Sequence, residues 1–371
     1  MLYINKLTIL SLLLSIALVG CTKYVSKKNI DPVETTFSHI DVSITPDFYD
    51  ISQKEKHPEI IILEEDDNTM FVDIDRVVES NGFYYILDSS SARTVVSYTN
   101  EGKPYTKYGS VGQGPGEYTF PWDIDILNDT VFILDSNLQK VIKYNHNGEY
   151  ISEKKLPFYA DAFKVLENGK IIYNLTPVED QSPSLCLSDY SLNEMKYMLP
   201  YPKGYKGGVH TPDVFRISNG QLTYYKSPSD TLYIINKDGV PDKGIVFNFK
   251  SKGLPEDVKL DFSKHSHTNS QLWFVNNPIN MNDSLWVGLV EDGNQQYTIV
   301  FSEMENKCGG KAFSNKSSVY DYIEPIGSDS NGNLICFLNY DIAVRCRDYD
   351  ILPDEIRKKL EDDYRALLIH R

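Results

Sequence analysis

Two segments in the middle of the chain repeat one another, and this repeat constrains the fold more than any other feature of the sequence. FYYILDSSSARTVVSYTNEGKPY is followed, after a short interval, by TVFILDSNLQKVIKYNHNGEY. Both contain ILDS, beginning at Ile86 and Ile133, then a β-branched and aromatic run, and then a turn glycine. The second turn glycine, Gly148, follows the first, Gly102, by 46 residues. Self-similarity at such a period indicates an architecture built by stacking one supersecondary unit many times.

Steps of about the same length carry the pattern further along the chain. They reach Asn193 in the turn of DYSLNEM and Gly239 in the turn of INKDGVP. Helical periodicity is almost absent here, and each unit has room for four short strands separated by Gly, Asn or Asp turns. The period is close to the roughly 40–45 residues of known propeller blades. We count six units: 71–115, 116–160, 161–205, 206–262, 263–315 and 316–371.

The predicted fold is therefore all-β, a six-bladed β-propeller over residues 58–371 with a short C-terminal helix. Such a ring must close, because a first and a last sheet would otherwise expose their edges. EIIILEE, Glu59–Glu65, is a lone strand ahead of the first unit, and the last unit has too few strands of its own. We expect this strand to complete the last blade. An irregular pair of β-sandwiches is the alternative architecture.

The tail PDEIRKKLEDDYRALLIHR predicts a helix that begins near Pro353. Its acidic residues lie early, and Leu360, Tyr364 and Leu367 recur at helical spacing. We expect this helix to pack against the ring or to cap it.

Residues 1–20 predict a signal peptide rather than a part of the fold. Lys6 precedes an apolar run, Leu7–Gly20, that is shorter than the roughly 20 residues a membrane-spanning helix needs. The sequence LVGC, which ends at Cys21, resembles the bacterial lipobox, in which the cysteine is lipidated and becomes the mature N-terminus. The expected partner is therefore the membrane, through a lipid anchor at Cys21. A plain signal peptide followed by a chance cysteine is the alternative.

Residues 21–57 predict a lipid-anchored tether, because the stretch is polar and lacks apolar periodicity. Thr22 is not the aspartate associated with inner-membrane retention in enteric bacteria, and no acidic run of the kind that marks surface export follows Cys21. We expect an outer-membrane lipoprotein whose domain faces the periplasm, with the cell surface as the alternative. We expect the protein to be a monomer.

The segment GSVGQGPGEYTFPWDI, which begins at Gly109, lies where the chain crosses from the first unit to the second. Glycine permits positive φ and close approach at such a crossing, and Pro115 stiffens it. Together with the ILDS strands, the strand before them and the lipobox, this segment resembles the six-bladed β-propeller lipoproteins of Bacteroidota, distant relatives of NHL-repeat proteins. The resemblance covers residues 58–340 and implies an exported, anchored binding domain without an established chemistry.

The same crossing offers candidate ligand contacts. Gln113, Glu117 and Tyr118 could form a rim near the axis that binds a ligand, or Glu117 and Tyr118 could lock neighbouring blades together. A phosphate-binding loop is excluded because no Lys and Ser/Thr follow the glycines and no helix begins there. The chain has 26 tyrosines, which suit sugar or peptide binding on a rim and equally suit the wedge between blades.

Several classes of function are excluded or unsupported. The formal net charge of −15 and the absence of a basic stripe argue against nucleic-acid binding. His265 and His267 in KHSHT lie two apart without a third ligand at metal-binding spacing, so we predict no metal site. No GxSxG nucleophile elbow and no CxxC pair occur. We therefore predict no catalytic residue and no cofactor.

The state of the cysteines is left open by the sequence. An exported chain could pair its cysteines, and Cys336 and Cys346 could face each other across a hairpin, whereas Cys186 and Cys308 show no partner in the sequence. Buried thiols are the alternative for these residues.

DTV, DTL and DSL resemble the Bacteroidota O-glycosylation acceptor. The predicted acceptor residues are Thr130, Thr231 and Ser284.

These observations predict an exported, lipid-anchored propeller that presents a face to a glycan, peptide or protein partner, with no catalysis evident. The alternative is an NHL-like hydrolase or lyase with its site at the propeller axis. A buried cluster of histidine, arginine and carboxylates at one mouth of the channel would favour the enzyme.

Overall fold

Six β-sheets are arranged around one axis in a computed structural model of the chain. The structure describes residues 29–42, 58–209, 211, 213–266, 270–282, 285–293, 295–312, 317–319, 324–329 and 333–370. Two strands precede the first blade: β1 (Thr36–Asp41) and β2 (Glu59–Leu63). Both join sheets that the chain completes much later.

The remaining strands follow the predicted order of short elements. In chain order they are β3 (Arg76–Ser80), β4 (Phe83–Asp88), β5 (Thr94–Thr99), β6 (Pro104–Lys107), β7 (Ser110–Val111), β8 (Glu117–Tyr118), β9 (Pro121–Leu127), β10 (Thr130–Asp135), β11 (Lys140–Asn145), β12 (Tyr150–Lys155), β13 (Ala160–Val165), β14 (Ile171–Leu175), β15 (Pro183–Ser188), β16 (Met195–Pro200), β17 (Phe215–Ser218), β18 (Gln221–Tyr224), β19 (Thr231–Ile235), β20 (Pro241–Asn248), β21 (Leu272–Phe274), β22 (Ile279–Asn282), β23 (Leu285–Asp292), β24 (Gln295–Ser302), β25 (Lys307–Ala312), β26 (Pro325–Ser328), β27 (Leu334–Leu338) and β28 (Arg365–His370).

Helices are short among the described residues. They are α1 (Glu256–Leu260), α2 (Tyr340–Ala343) and α3 (Asp354–Glu361), with 3₁₀ turns at Lys250–Lys252, Phe262–Lys264 and Tyr349–Ile351. Within the described ranges, the structure contains no helix that is long and apolar enough to span a bilayer.

The blades confirm the predicted six-bladed propeller. Blade 1 is β3–β6, blade 2 is β9–β12, blade 3 is β13–β16, and blade 4 is β17–β20 with β1 added. Blade 5 is β21–β25, in which β21 and β22 form one interrupted inner strand paired with β23. Blade 6 is β26–β28 with β2 added. The inner strand of each blade begins at what we call the front face and ends at the back face.

The 46-residue period corresponds to the turn between the two outer strands of a blade. Gly102, Gly148 and Gly239 occupy this turn in blades 1, 2 and 4, with φ values of 81°, 84° and 82°. In each case the glycine N–H donates to the carbonyl three residues earlier, and the positive φ explains why glycine recurs there. Asn193 lies in the equivalent turn of blade 3, where its N–H donates to Asp189.

Ring closure also follows the prediction. β2 pairs antiparallel with β28, with Glu59 opposite Ile369 and Leu63 opposite Arg365. The last blade therefore takes its outermost strand from the beginning of the domain. This arrangement connects both ends of the domain through hydrogen bonds.

Two predicted segments differ from the structure. Thr36–Asp41, within the predicted tether, is the strand β1, which pairs in parallel with β20 at the edge of blade 4. The C-terminal helix α3 ends at Glu361, and Arg365–His370 forms β28 instead of continuing the helix. The helical spacing of Leu360, Tyr364 and Leu367 was therefore misleading, because β28 is required between β27 and β2.

The core is divided into clusters that lie between adjacent blades. Between blades 1 and 2, for example, Tyr85 and Val95 pack with Ile124 and Ile133. Comparable apolar clusters lie at the other five junctions, including that between blades 6 and 1. Each sheet is therefore stabilised by its neighbours, as expected for sheets too small to form a core alone.

The described cysteines are buried thiols. Cys186, Cys308, Cys336 and Cys346 form no disulfide. The proposed hairpin between Cys336 and Cys346 does not exist, because α2 follows β27 and the residue opposite Cys336 is Leu368. Cys346 lies in a separate apolar cluster beneath the helices.

Candidate functional site

The crossing from blade 1 to blade 2 is a structural clamp at the front face. β7 and β8 pair in parallel, and Gly112 N–H donates to Tyr118 O at 2.9 Å. Gly114 N–H donates to Glu117 Oε2 at 2.7 Å. A Cβ added at Gly112 would lie 2.0 Å from this carboxylate oxygen, so a side chain there would displace the Glu117 carboxylate from the loop. The Gly–Pro–Gly sequence serves to wrap the backbone around one glutamate.

The three candidate rim residues differ in their accessibility. Tyr118 is 0% exposed, and its hydroxyl donates to Tyr108 O at 2.9 Å. Glu117 is half-buried and engaged with the loop, whereas Gln113 is exposed. Tyr118 therefore joins the crossing to blade 1 and is not available to a ligand, whereas Glu117 stabilises the crossing itself.

The other sequence candidates are separated in space. Thr130 and Thr231 are half-buried at the starts of their strands, and glycosylation there stays a prediction. Ser284, Cys21 and His267 lie outside the described residues. His265 stacks on Phe262 with ring centroids 4.8 Å apart. No group of three His, Cys, Asp or Glu side chains within the described ranges is placed to hold a metal ion.

Charged side chains meet in the interior, on the inner strands. Arg76 of β3 forms ion pairs with Asp123 of β9 and, at 2.9 Å, with Asp213 just before β17. Lys164 of β13 pairs with Asp125 of β9. We call these five residues, together with Arg216, the axial cluster; all six are buried.

The axial aspartates also satisfy backbone groups. Inner strands are sheet edges, and their outward-facing N–H groups lack ladder partners. Asp123 accepts from Phe163 N–H at 2.8 Å, and Asp125 accepts from Val165 N–H at 2.7 Å. Desolvation raises the pKa of Asp123 to about 6, although the attraction of Arg76 opposes this shift. The cluster therefore holds blades 1 to 4 together by paired charges.

A separate cavity lies at the front face between blades 3 and 4. It has a volume of about 300 Å³. Its walls are the crossing after β16, the loop between β18 and β19, and α1. Four tyrosines line it: Tyr201, Tyr205, Tyr224 and Tyr233. We call it the tyrosine pocket.

Hydrogen bonds fix the inner wall of the tyrosine pocket. Lys226 Nζ donates to Tyr201 Oη at 3.0 Å and to Asp161 Oδ2 at 3.1 Å. Tyr201 in turn donates to Leu175 O at 2.6 Å. Burial disfavours the charged ammonium, but Asp161 together with Tyr224 and Tyr205 favours it, so the pKa of Lys226 is raised. The inner wall of the pocket therefore carries an ammonium group that is ion-paired with Asp161 at neutral pH.

The outer wall combines aromatic and polar surface. The rings of Tyr201 and Tyr205 stack with centroids 4.7 Å apart and an interplanar angle of 14°. Lys259 of α1 forms an ion pair with Asp230 on the opposite lip. Thr231, one of the predicted acceptor residues, also lines the pocket. A half-open aromatic platform with charged and hydroxyl groups around it suits a neutral polar ligand with one apolar face.

Apart from Thr231, the residues of the tyrosine pocket were not identified from the sequence. The crossing PYPKGYKGG, which ends at Gly208, carries two tyrosines among prolines and glycines and resembles GQGPGEY in composition. This composition could have indicated a second crossing between blades with tyrosines at the front face. Asp161 and Lys226 carry no such signal, because they meet only when blades 3 and 4 are adjacent.

Comparisons with known proteins agree with the fold. The sequence model of a family described as "Domain of unknown function (DUF4934)" matches residues 42–363. None of the curated proteins matches the chain.

Two solved structures from Bacteroides are similar. A protein of Bacteroides fragilis described as exported aligns with 17% identity and a TM-score of 0.71, covering 91% of this chain and 99% of its own. A member of the DUF4221 family from Bacteroides vulgatus aligns with 12% identity and a TM-score of 0.55, covering 85% of this chain and 97% of its own. At these identities the likeness concerns the fold alone.

Proposed function

The chain belongs to the DUF4934 family, and we propose that it is an exported, lipid-anchored β-propeller that binds a carbohydrate. The observation that carries the proposal is the tyrosine pocket, where stacked aromatic rings lie beside fixed charges and hydroxyls. The lipobox at Cys21 and the exported relative support the location in the envelope.

Sugar rings match the chemistry of this pocket. Their C–H faces are apolar and pack against aromatic rings, while their hydroxyls require donors and acceptors around the edge. Tyr205 offers such a ring at the lip, and it is half-buried against Tyr201. Lys226 can donate, Asp230 can accept, and Ser229 can do both. A cavity of about 300 Å³ accommodates one or two sugar units of a longer chain that continues into solvent.

The backbone keeps the platform in place without a ligand. Lys206 N–H donates to Leu260 O at 2.8 Å, which ties the Tyr205 loop to α1. Gly204 N–H donates to Asp180 Oδ1 at 2.7 Å. A Cβ at Gly208 would lie 2.4 Å from Ser227 O, so the loop packs directly against the opposite wall. A pocket ordered in advance loses little entropy when it binds.

Binding of the mature chain to a glycan array tests this proposal. Tyr205→Ala should weaken binding of the glycan by about 2- to 10-fold, the range expected for loss of one aromatic contact. Tyr205→Phe should retain most of the affinity, because it keeps the ring. Tyr159→Ala removes an exposed tyrosine that does not line the pocket and serves as the matched control.

Two results would contradict the proposal. If wild-type protein binds no glycan on the array, carbohydrate is the wrong ligand class. If a glycan binds equally well to Tyr205→Ala and to Tyr159→Ala, the tyrosine pocket is the wrong site.

The anchor has its own test. Cys21→Ser in the full-length chain should move the protein from the membrane fraction to the soluble envelope fraction, because the acyl chains supply the attachment. Fractionation and the mass of the N-terminal peptide check this. Wild-type protein in the soluble fraction with an unmodified Cys21 would argue against lipidation.

The hydrolase or lyase alternative stays a prediction. The axial cluster contains arginine and carboxylates, but no histidine from the described ranges belongs to it. Each of its three aspartates is already paired with a cation. The described geometry therefore favours binding over catalysis as the function to test first.

A further inference from the structure

A second cavity opens at the back face of the ring, opposite the tyrosine pocket. Its volume is about 170 Å³. The inner strands β3, β17 and β26 supply most of its wall, through Val77–Ser80, Phe215–Ile217 and Gly327–Ser328. Part of the axial cluster lies at its inner end, namely Arg76, Lys164, Asp213 and Arg216. We call it the axial cavity.

Arg216 has the largest unused hydrogen-bonding capacity in this cavity: its Nε, Nη1 and Nη2 all lack a hydrogen bond among the described residues, whereas Arg76 lacks one at Nε alone and Asp213 at Oδ1 alone. The residue is 4% exposed. Its Nη2 lies 2.8 Å from Asp213 Oδ2, but the contact lacks hydrogen-bond geometry. Nε and Nη1 have no acceptor within the part of the chain that the structure describes. A buried guanidinium with unfilled donors is costly, so the site favours a molecule that supplies acceptors.

The other cations of the cluster do not compete for such a molecule. Arg76 lies between the carboxylates of Asp123 and Asp213, and Lys164 is paired with Asp125. Arg216 contacts a single carboxylate, that of Asp213, and this carboxylate is also paired with Arg76, whose Nε lies 2.9 Å from Asp213 Oδ1. The planar guanidinium fork matches a carboxylate through two parallel hydrogen bonds. An incoming carboxylate would therefore bind at Arg216.

The rim of the axial cavity carries the opposite charge. Glu79 and Asp329 are half-buried and line its mouth. Carboxylates there disfavour a ligand that is negative throughout, such as phosphate, and favour one whose outer end is cationic. At about 30 Å³ for each water molecule, the cavity holds about six waters, which is the size of a small amino acid.

From this arrangement we propose that the axial cavity binds a small zwitterion, an amino acid whose carboxylate pairs with Arg216 and whose ammonium group faces Glu79 and Asp329. The site lies on the opposite face from the tyrosine pocket, and the inference stands independently of carbohydrate binding. Recognition requires a carboxylate and an amine in one molecule, separated by the depth of the cavity.

Calorimetric titration of the full mature chain tests the proposal with defined probes. Glycine, β-alanine and γ-aminobutyrate present both charges at increasing separation, while acetate, methylamine and phosphate present one kind of charge. We expect at least one amino acid to bind about tenfold more tightly than acetate. Methylamine and phosphate should not bind.

Variants separate the two ends of the ligand. Arg216→Lys keeps the charge but loses the fork, and it should weaken amino-acid binding by about tenfold or more. Glu79→Gln should weaken amino-acid binding, because it removes one of the two carboxylates that face the ammonium group, and it should strengthen acetate binding, because it removes a negative charge from the rim. Ile217→Trp places a large ring at the mouth from a residue that is 42% exposed and uncharged, and it should abolish binding.

The outcomes decide the matter even if one variant folds poorly. If none of the three amino acids binds to wild-type protein more tightly than acetate, the proposal is overturned. Unchanged affinity in Arg216→Lys also overturns it. Should Arg216→Lys fail to fold, unchanged affinity in Ile217→Trp overturns the proposal, and loss of binding in that variant supports it.

Discussion

Replacing Arg76 by methionine is expected to lower the free energy of unfolding by about 3–5 kcal/mol at pH 7, the range observed when one partner of a buried ion pair is removed. Arg76 lies between Asp123 and Asp213, and all three side chains are buried. Without the guanidinium, Asp123 loses its cation and Asp213 keeps only Arg216. Two carboxylates would then remain in a medium that solvates charge poorly.

The loss of stability in Arg76→Met should depend on pH. Burial raises the pKa of Asp123 to about 6 from its usual 3.8, although Arg76 attracts the ionised form. In Arg76→Met this pKa rises further, since the attraction is gone. Below about pH 6 the native carboxyl binds a proton in both proteins. The stability difference between variant and wild type should therefore grow as the pH rises above about 6.

Urea denaturation at pH 5.5 and at pH 8 measures both effects. Arg93→Met is the matched control, because Arg93 is exposed, and its effect should stay within about 1 kcal/mol at either pH. Adding Asp123→Asn to Arg76→Met removes one uncompensated charge while keeping an acceptor for Phe163 N–H, and it should restore part of the stability. An equal loss in Arg76→Met and Arg93→Met would contradict the role of the axial cluster.

The repeat could be predicted because it depends on local backbone chemistry. Gly102, Gly148 and Gly239 occupy a turn that requires positive φ, so the sequence carries the spacing of the turn directly. ILDS recurs for a similar reason. Asp88 accepts from Val72 N–H at 2.8 Å, and Asp135 accepts from Thr119 N–H at 2.6 Å, so each aspartate fixes the loop that leads into its own blade.

Strands whose partners are distant in sequence were harder to predict. β1 buries only Ile40 and pairs with β20, about 200 residues later, so its sequence resembles a tether. RALLIH in β28 is a short apolar run, which periodicity alone does not distinguish from a helical segment. β2 was identified because an isolated apolar strand ahead of an incomplete last unit had one evident partner.

The candidate sites depend on contacts between blades, which the sequence does not encode locally. WDIDIL lies in the inner strand β9, and its two aspartates form ion pairs with cations from blades 1 and 3. Alternating charge within an apolar inner strand was the available signal, because an unpaired buried aspartate is costly. Arg216 carries no signal of this kind. Its unfilled donors become evident only when β17 is placed beside β3 and β26.

Removal of residues 364–371 is expected to abolish cooperative folding, because β28 lies between β27 and β2 and holds the ring closed. Leu367, Leu368 and Ile369 are buried in this strand, and at about 1.5–3 kcal/mol each they contribute about 5–9 kcal/mol. A whole domain is stable by only about 5–15 kcal/mol. The deletion also leaves β2 without a partner and exposes the edge of β27.

Point variants separate ring closure from a general effect of truncation. Leu367→Asp places a charge in the cluster between blades 6 and 1, and it should unfold the protein or lower its urea midpoint severely. Ile351→Asp alters a residue that is 73% exposed in the same C-terminal region and should leave the midpoint nearly unchanged. Circular dichroism during urea titration reports both. A truncated chain that unfolds cooperatively at the wild-type midpoint would show that the ring does not depend on β28, and the sheets would then have to be stable without closure.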